Sequence, residues 1–372
     1  MGALSGGAIL TIDLGALADN WRTLRDRSGG AECAAVVKAD AYGLGIEPAA
    51  AALAAAGCRT FFVAHLSEAR RVRHACADAT IYVLNGLLPG SEGAFLPDGI
   101  RPVLGSPEEI VDWAAFCRAQ GKRLPAAIHI DTGMNRLGLP VADAFDLAAD
   151  PILADFKPAL LMSHLVAAED TANPVTARQV ADFERVRGAF LGVPASLANS
   201  SGILHDGVPG YDLVRAGFAL YGGNPTPGRD NPMGPVVRLE AGIVQLRDVS
   251  DGEAVGYNGT WTARGPRRLA TLSIGYADGY SRAASVTDSD GGTPRGQAIV
   301  AGRRCPFAGR VSMDLIILDV TDVPRDAVKR GDRAVLIGDD LTIDEVGARA
   351  GTIGYEVLTS LGKRYDRRYV GG

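Results

Sequence analysis

Up to about residue 233, short apolar runs recur with room for one helix between most neighbours. They read AAVVK (34–38), FFVA (61–64), IYVLN (81–85), RPVL (101–104), AAIHID (126–131), ALLMSH (159–164), ASLAN (195–199) and DLVRAG (212–217). Runs that are apolar throughout suit strands covered on both faces, as in parallel sheets. The intervening SEARRVRHACA and SPEEIVDWAAFCRAQG read as helices. The second opens on Ser106 as a cap with two early glutamates and stops at Gly121. Eight strands in roughly 200 residues fit a closed (β/α)8 barrel better than an open doubly wound sheet. No GxGxxG follows the first run, which weakens a dinucleotide-binding reading further.

From about residue 235 the rhythm changes. RLEAGIVQLRDV, LATLSIGYADG, QAIVAGRRCPFAGRVSMDLIILDV and RAVLIG are strand-rich with glycine turns, followed by helical TIDEVGARAG and YEVLTSLG. The expected organisation is an α/β barrel over 13–233 and a β-rich domain over 234–372. GGNPTPGRDNPMG is the linker, and residues 1–12 are expected to pack with the second domain. A chain of 372 residues, 47% hydrophobic, has ample material for both.

Composition removes several function classes. The 38 basic and 43 acidic residues are interspersed, giving a net charge of −5 and no basic stripe, so nucleic acid is not an expected partner. The five cysteines are scattered without a CxxC pair, which argues against a metal site and a redox motif. Reduced, buried thiols in a cytoplasmic protein are the expectation. MGALSGGAILTIDL has no signal-peptide pattern, and Gly6 stands where myristoylation needs Ser or Thr. No run approaches the roughly 20 apolar residues of a membrane helix, so no membrane association is expected.

A barrel carries its active site at the C-terminal ends of its strands. Lys38 ends the first run and Tyr42 follows in its loop. His129 and Asp131 end the fifth, His164 the sixth, Asn199 and Ser200 the seventh, and Arg215 lies in the eighth. A strand-end lysine is either a solvated surface group or an amine that holds an aldehyde cofactor as a Schiff base. Polar groups delivered to one rim from several strands favour the second reading.

VVKADAYGLG resembles the cofactor-lysine motif of the bacterial alanine racemases. The resemblance continues in family order through DTGMNRLG (131–138), SHLVAAED (163–170), ANSSG (198–202), YDLVRAGFALYG (211–222), SIGYADGY (273–280) and GRVSMD (309–314). It implies a (β/α)8 barrel with a β-rich C-terminal domain and pyridoxal 5′-phosphate as cofactor. The implied activity is interconversion of L-alanine and D-alanine, supplying D-alanine for peptidoglycan. It also implies a head-to-tail homodimer in which the second domain of one subunit completes the other's barrel mouth.

By that resemblance Lys38 and Tyr276 are the two proton carriers, Lys38 for the D enantiomer and Tyr276 for the L. A tyrosine hydroxyl is a poor base at neutral pH, so cationic neighbours such as Arg136 or Arg310 are expected to help it. Ser200, the Tyr42 hydroxyl and the backbone amides of Gly217 and Phe218 would hold the cofactor phosphate. His164 would lie beside the pyridine ring, and Arg215 would face its nitrogen. Arginine has only donors, so that nitrogen stays unprotonated and the ring withdraws electrons less strongly. Arg136 and the Met313 amide would hold the substrate carboxylate, while Asp314 fixes its turn.

Two positions depart from the family pattern. Many alanine racemases carry a lysine two residues before the aspartate of DTGMNRLG, converted by CO2 to a carbamate that holds the arginine corresponding to Arg136. Here that position is His129. Near the C-terminus Lys363 stands where some members have a phosphate-touching tyrosine, a role that Tyr365 or Tyr369 could take. The rival readings are a broader-specificity racemase, a barrel-fold amino-acid decarboxylase, and a non-catalytic pyridoxal-phosphate carrier. The decarboxylase would place a carboxylate on the pyridine nitrogen, and the carrier would lack the second domain.

Overall fold

The computed structural model describes residues 7–290 and 295–372, and the expectation for residues 1–6 lies outside them. The chain divides into two compact units. One is Leu17–Gly234, and the other comprises the described residues of Met1–Ala16 and Pro235–Gly372.

Leu17–Gly234 is the barrel. Its strands are Glu32–Val36, Thr60–Val63, Thr80–Val83, Arg101–Leu104, Pro125–Asp131, Lys157–Met162, Ala195–Ser196 and Leu213–Ala216, numbered one to eight below. Consecutive strands pair in parallel, with Ala35 opposite Phe61, Phe61 opposite Ile81, Val83 opposite Pro102, and Val103 opposite Ala127. Ile128 stands opposite Leu161 and Leu161 opposite Ala195, while strand eight returns to strand one with Val214 opposite Cys33. Between strands seven and eight the ladder gives way to two backbone bonds, Asp212 N–H to the Ala195 carbonyl at 3.1 Å and Arg215 N–H to the Ala198 carbonyl at 2.9 Å. The barrel is thus closed by a thin seam, and Arg215 lies on it.

Both barrel helices read from the sequence form, as Leu66–Ala75 and Pro107–Gln120, the second where its cap placed it. Pro107–Gln120 begins after Ser106, whose hydroxyl accepts the Glu109 N–H at 3.3 Å, and ends on Gly121 at φ 62°. Ile46–Ala56, Leu66–Ala75, Val141–Ala149 and Val175–Arg187 cover other strands. Strand two is buried at all four positions, as a strand covered on both faces must be. Phe61, Phe62, Trp113, Phe156 and Phe183 fill the core. The loops after strands three, seven and eight carry only single turns, Glu92–Phe95, Ser200–Ile203 and Phe218–Tyr221.

The second unit is a mixed β-sheet. The long strand Val237–Val249 pairs antiparallel with Ala8–Asp13, Arg267–Leu272 and Arg333–Ile337. A register shift between Ile243 and Gln245 lets this strand serve more than one neighbour. Asp366–Val370 runs parallel to Ala8–Asp13, and Ile316–Asp319 pairs with Arg267–Leu272. Helices Ile343–Arg349 and Gly354–Ser360 lie in sequence between the strands Arg333–Ile337 and Asp366–Val370, where TIDEVGARAG and YEVLTSLG suggest them.

Candidate active site

Lys38 stands two residues beyond the end of strand one, which stops at Val36. It opens a turn in which Ala39, Asp40, Ala41 and Tyr42 all have φ between 53° and 57°. Four successive non-glycine residues in the left-handed region cost about 1–2 kcal/mol each, or ~4–8 kcal/mol together. The apolar run does not announce this turn, because none of its residues is glycine. Gly43, at φ 84°, ends it. Burial lowers the Lys38 pKa from its ordinary value, helped by the positive charge of Arg136 and opposed by Glu68.

Tyr42 is buried and stacks on Tyr221, with ring centroids 4.5 Å apart and planes 28° apart. The Tyr221 hydroxyl in turn donates to the Val36 carbonyl at 3.0 Å. Tyr42 is therefore tied back to the end of strand one. Its hydroxyl faces Gly217, where a Cβ would come within 3.0 Å of it. Ser200 lies on the same side: its Oγ accepts the Gly217 N–H at 2.8 Å and the Ala219 N–H at 3.4 Å. Phe218 is buried at the start of the next turn. Two hydroxyls and neighbouring backbone amides, kept open by a missing Cβ, fit a phosphate.

Arg215 is 3% exposed. NH1 donates to Ser196 Oγ at 2.7 Å and to its carbonyl at 3.0 Å, and NH2 donates to the carbonyls of Ser163 at 2.5 Å and Leu197 at 3.4 Å. NH2 also meets His164 Nδ1 at 3.3 Å. None of these bonds uses Nε. Asp212, the obvious surface partner for this arginine, instead accepts the Ala195 N–H at 2.8 Å. Burial brings the Arg215 pKa down to about 10, so the guanidinium remains charged at neutral pH.

That charge governs the two histidines. Burial first, then Arg215, pushes His164 down to about 3 and His129 to about 4. Both are neutral at neutral pH, and a neutral His164 can accept the Arg215 proton at Nδ1. His164 lies two residues past strand six, while His129 lies within strand five. Arg136 is exposed and makes no hydrogen bond or ion pair among the described residues. No bond joins Arg136 to His129.

Sequence reasoning missed the groups that hold these side chains. Gln179 is fully buried, and its Nε2 donates to Thr132 Oγ1 at 3.1 Å and the His164 carbonyl at 2.9 Å. Its Oε1 accepts the Val166 N–H at 2.9 Å, so one amide joins the loops after strands five and six. Thr132 and Ser163 share a 2.7 Å hydroxyl bond, which carries the same network to the carbonyl bonded by Arg215. A polar residue on the buried face of a helix was the available signal.

In the second unit, Tyr276 opens the single turn Tyr276–Asp278 and is 40% exposed. Its N–H donates to the Ser312 carbonyl and the Ala277 N–H to the Met313 carbonyl, each at 3.0 Å. A Cβ at Gly275 would stand 2.3 Å from the Met313 carbonyl oxygen, so glycine is needed for this approach. SIGYADGY and GRVSMD are thus brought together, as a pair of loops sharing backbone bonds. Arg364 ties both down, 3.2 Å from Asp278 and 2.8 Å from Asp314, so Asp314 serves the turn. Tyr365 is buried in this unit, while Tyr369 lies half-exposed on the strand beside Ile12.

Comparison with known proteins gives one family. Residues 12–225 match the model described as alanine racemase, N-terminal domain, and residues 236–369 the model described as alanine racemase, C-terminal domain. An alanine racemase of Methylobacterium nodulans is 64% identical over 368 residues, covering 99% of this chain and 97% of that one. Another, from Methylobacterium sp. strain 4-46, is 62% identical over 364 residues, covering 98% of each. Among solved structures, alanine racemase from Bartonella henselae with covalently bound pyridoxal phosphate has a TM-score of 0.92 at 40% identity. That match covers 99% of this chain and 100% of the other.

Proposed function

The chain belongs to the alanine racemase family, and from that premise we propose that Lys38 and Tyr276 exchange the Cα proton of alanine. The reaction is the interconversion of L-alanine and D-alanine, with pyridoxal phosphate as cofactor. When bound, the cofactor supplies an aldehyde that joins the substrate amine and a ring that withdraws electrons from the Cα–H bond.

The Lys38 amine is one proton carrier. Its depressed pKa favours the neutral form that can accept a proton. The Tyr276 hydroxyl is the carrier for the opposite face of the substrate. Ser200, Tyr42 and the amides of Gly217 and Phe218 hold the phosphate, and Arg136 with the Met313 amide holds the substrate carboxylate. Arg215 offers only donors to the pyridine nitrogen and keeps it unprotonated. His164, neutral beside Arg215, would lie beside the ring.

The observation that carries this reading is that Arg215 is buried among neutral acceptors. A decarboxylase of related architecture would set a carboxylate at that place. The protein acts as a homodimer in which Tyr276 and Met313 of one subunit complete the site built on Lys38 of the other. We assign it to the cytoplasm, in keeping with five free, buried cysteines. Among the described residues no helix is long and apolar enough to cross a membrane.

The test is direct. Incubation with L-alanine in deuterated water should yield D-alanine carrying deuterium at Cα. Borohydride reduction followed by peptide mapping should tag Lys38. A tag on Lys363 or another lysine, or no D-alanine, overturns the assignment.

A further inference from the structure

The turn from Ala39 to Tyr42 is strained, and its own sequence does little to relieve the strain. Only Asp40 belongs to the residue types that tolerate left-handed backbone. The bonds within it, Ala41 N–H to the Val37 carbonyl at 2.9 Å and Gly43 N–H to the Ala39 carbonyl at 2.7 Å, leave the Asp40 N–H to be met from elsewhere. Glu68 meets it. Glu68 Oε1 accepts the Asp40 N–H at 3.1 Å, while Oε2 accepts the N–H groups of Ala64 at 2.9 Å and His65 at 3.1 Å.

We propose that Glu68 is a positioning residue for the active-site lysine, fixing the left-handed turn that presents Lys38 and Tyr42. One carboxylate clamps the loop after strand one to the loop after strand two. The clamp is well founded, because Glu68 lies in the first turn of Leu66–Ala75, where a carboxylate also answers the positive end of the helix. Asp40 secures the other side of the turn. Its Oδ1 accepts the Ile46 N–H at 3.1 Å and pairs with Arg71 at 2.7 Å, and Arg71 is held by both oxygens of Glu47.

Two oxygens accepting three N–H groups also explain why an amide cannot replace this carboxylate. In Glu68→Gln the NH2 would point a donor at donors on one side. The clamp would open while the side-chain volume stayed the same. Glu68 has a second effect, since its charge opposes the lowering of the Lys38 pKa by burial and by Arg136. His164, neutral at neutral pH, also interacts with Lys38.

The inference rests on Lys38 being the reactive amine, and the experiment separates the two. Hydrogen–deuterium exchange on cofactor-free protein should show faster exchange over residues 39–45 in Glu68→Gln, with the other barrel strands unchanged. Lys38 acylation by an amine-reactive reagent, followed by mass spectrometry across pH, should have its midpoint at lower pH in that variant. Glu68→Asp keeps the charge but shortens the reach, so exchange should rise while the midpoint stays near wild type. In the holoenzyme Glu68→Gln should lower kcat about tenfold or more with little change in KM for alanine, as misplacement of a reacting group does. Wild-type exchange over 39–45 in Glu68→Gln, or a rise spread evenly through the barrel, overturns the proposal. An active Lys38→Ala variant would instead defeat the reading of Lys38 and leave the exchange result standing.

Discussion

Arg215 gives both hydrogen bonds of its NH1 group to Ser196, one to the hydroxyl at 2.7 Å and one to the carbonyl at 3.0 Å. The two residues face each other across the seam where strands seven and eight lack a regular ladder. The guanidinium is therefore a structural closure of the barrel as well as the group proposed to face the cofactor. That double role changes what a substitution does.

Replacing Arg215 by Met removes the donors to the carbonyls of Ser163 and Leu197, while the Ser196 carbonyl keeps the Ser163 N–H at 3.1 Å. At about 1 kcal/mol or more for each carbonyl left without its donor, the loss is at least about 2 kcal/mol. Arg215→Glu should be worse, because it aims a carboxylate at those same oxygens. Arg215→Lys keeps a charge and some donors and should fall between wild type and Met. Urea unfolding of the cofactor-free variants measures the order, and a wild-type midpoint for Arg215→Glu contradicts it.

Acid should destabilise the cofactor-free protein before most carboxylates titrate. His164 and His129 have folded-state values of about 3 and about 4, below the ordinary 6.5 of an unfolded chain. Between those limits the unfolded state binds protons that the folded state refuses, so stability rises with pH and is lost on acidification. The slope is up to about 1.4 kcal/mol per pH unit for each histidine. Denaturant titrations from pH 7 to pH 4 should show it, and His164→Asn should flatten it.

The barrel was legible because each strand is a continuous apolar run and the helix Pro107–Gln120 carries its own start and stop signals. Polar groups at strand ends then pointed to the rim. The left-handed turn was not legible, because Ala39, Asp40, Ala41 and Tyr42 have no local reason to adopt positive φ. The group that meets its Asp40 N–H is Glu68, from the first turn of the helix Leu66–Ala75. Gln179 was hidden for the same reason: its three bonds reach Thr132, His164 and Val166, and no local pattern encodes them. The exposure of Arg136 was also out of reach, since DTGMNRLG does not say how far its loop stands from the barrel.

Gly217 should be intolerant of a side chain. An added Cβ would stand 3.0 Å from the Tyr42 hydroxyl and 3.6 Å from Val36 Cβ. Gly217→Ala should weaken binding of pyridoxal phosphate about tenfold or more, a change of about 1.4 kcal/mol or greater. Fluorescence titration of the cofactor-free protein reads the affinity. Equal affinity for variant and wild type would show that the cradle has slack.

If Lys38 and Tyr276 meet across a homodimer, two dead variants can repair each other. Lys38→Ala and Tyr276→Phe should each be nearly inactive alone. After mixing and subunit exchange, half the dimers are hybrids with one intact site of two, so activity should recover to about a quarter of wild type. Exchange confirmed by native mass spectrometry without any recovered activity would count against the shared site.

The substitution at position 129 leads to the last expectation. A lysine there can take up CO2 and become a fixed anion beside the arginine of this motif, but an imidazole forms no stable carbamate under these conditions. His129 is also held at about 4, so near neutral pH it carries no charge of either sign. Among the described residues Arg136 is exposed and makes no bond to His129. Activity should therefore be the same in rigorously degassed buffer and in bicarbonate-supplemented buffer at matched pH and ionic strength. His129→Lys supplies the contrast: if position 129 can present an amine toward Arg136, that variant alone should respond to bicarbonate. Bicarbonate activation of the wild-type enzyme, lost in His129→Ala, would show that position 129 recruits an anion after all.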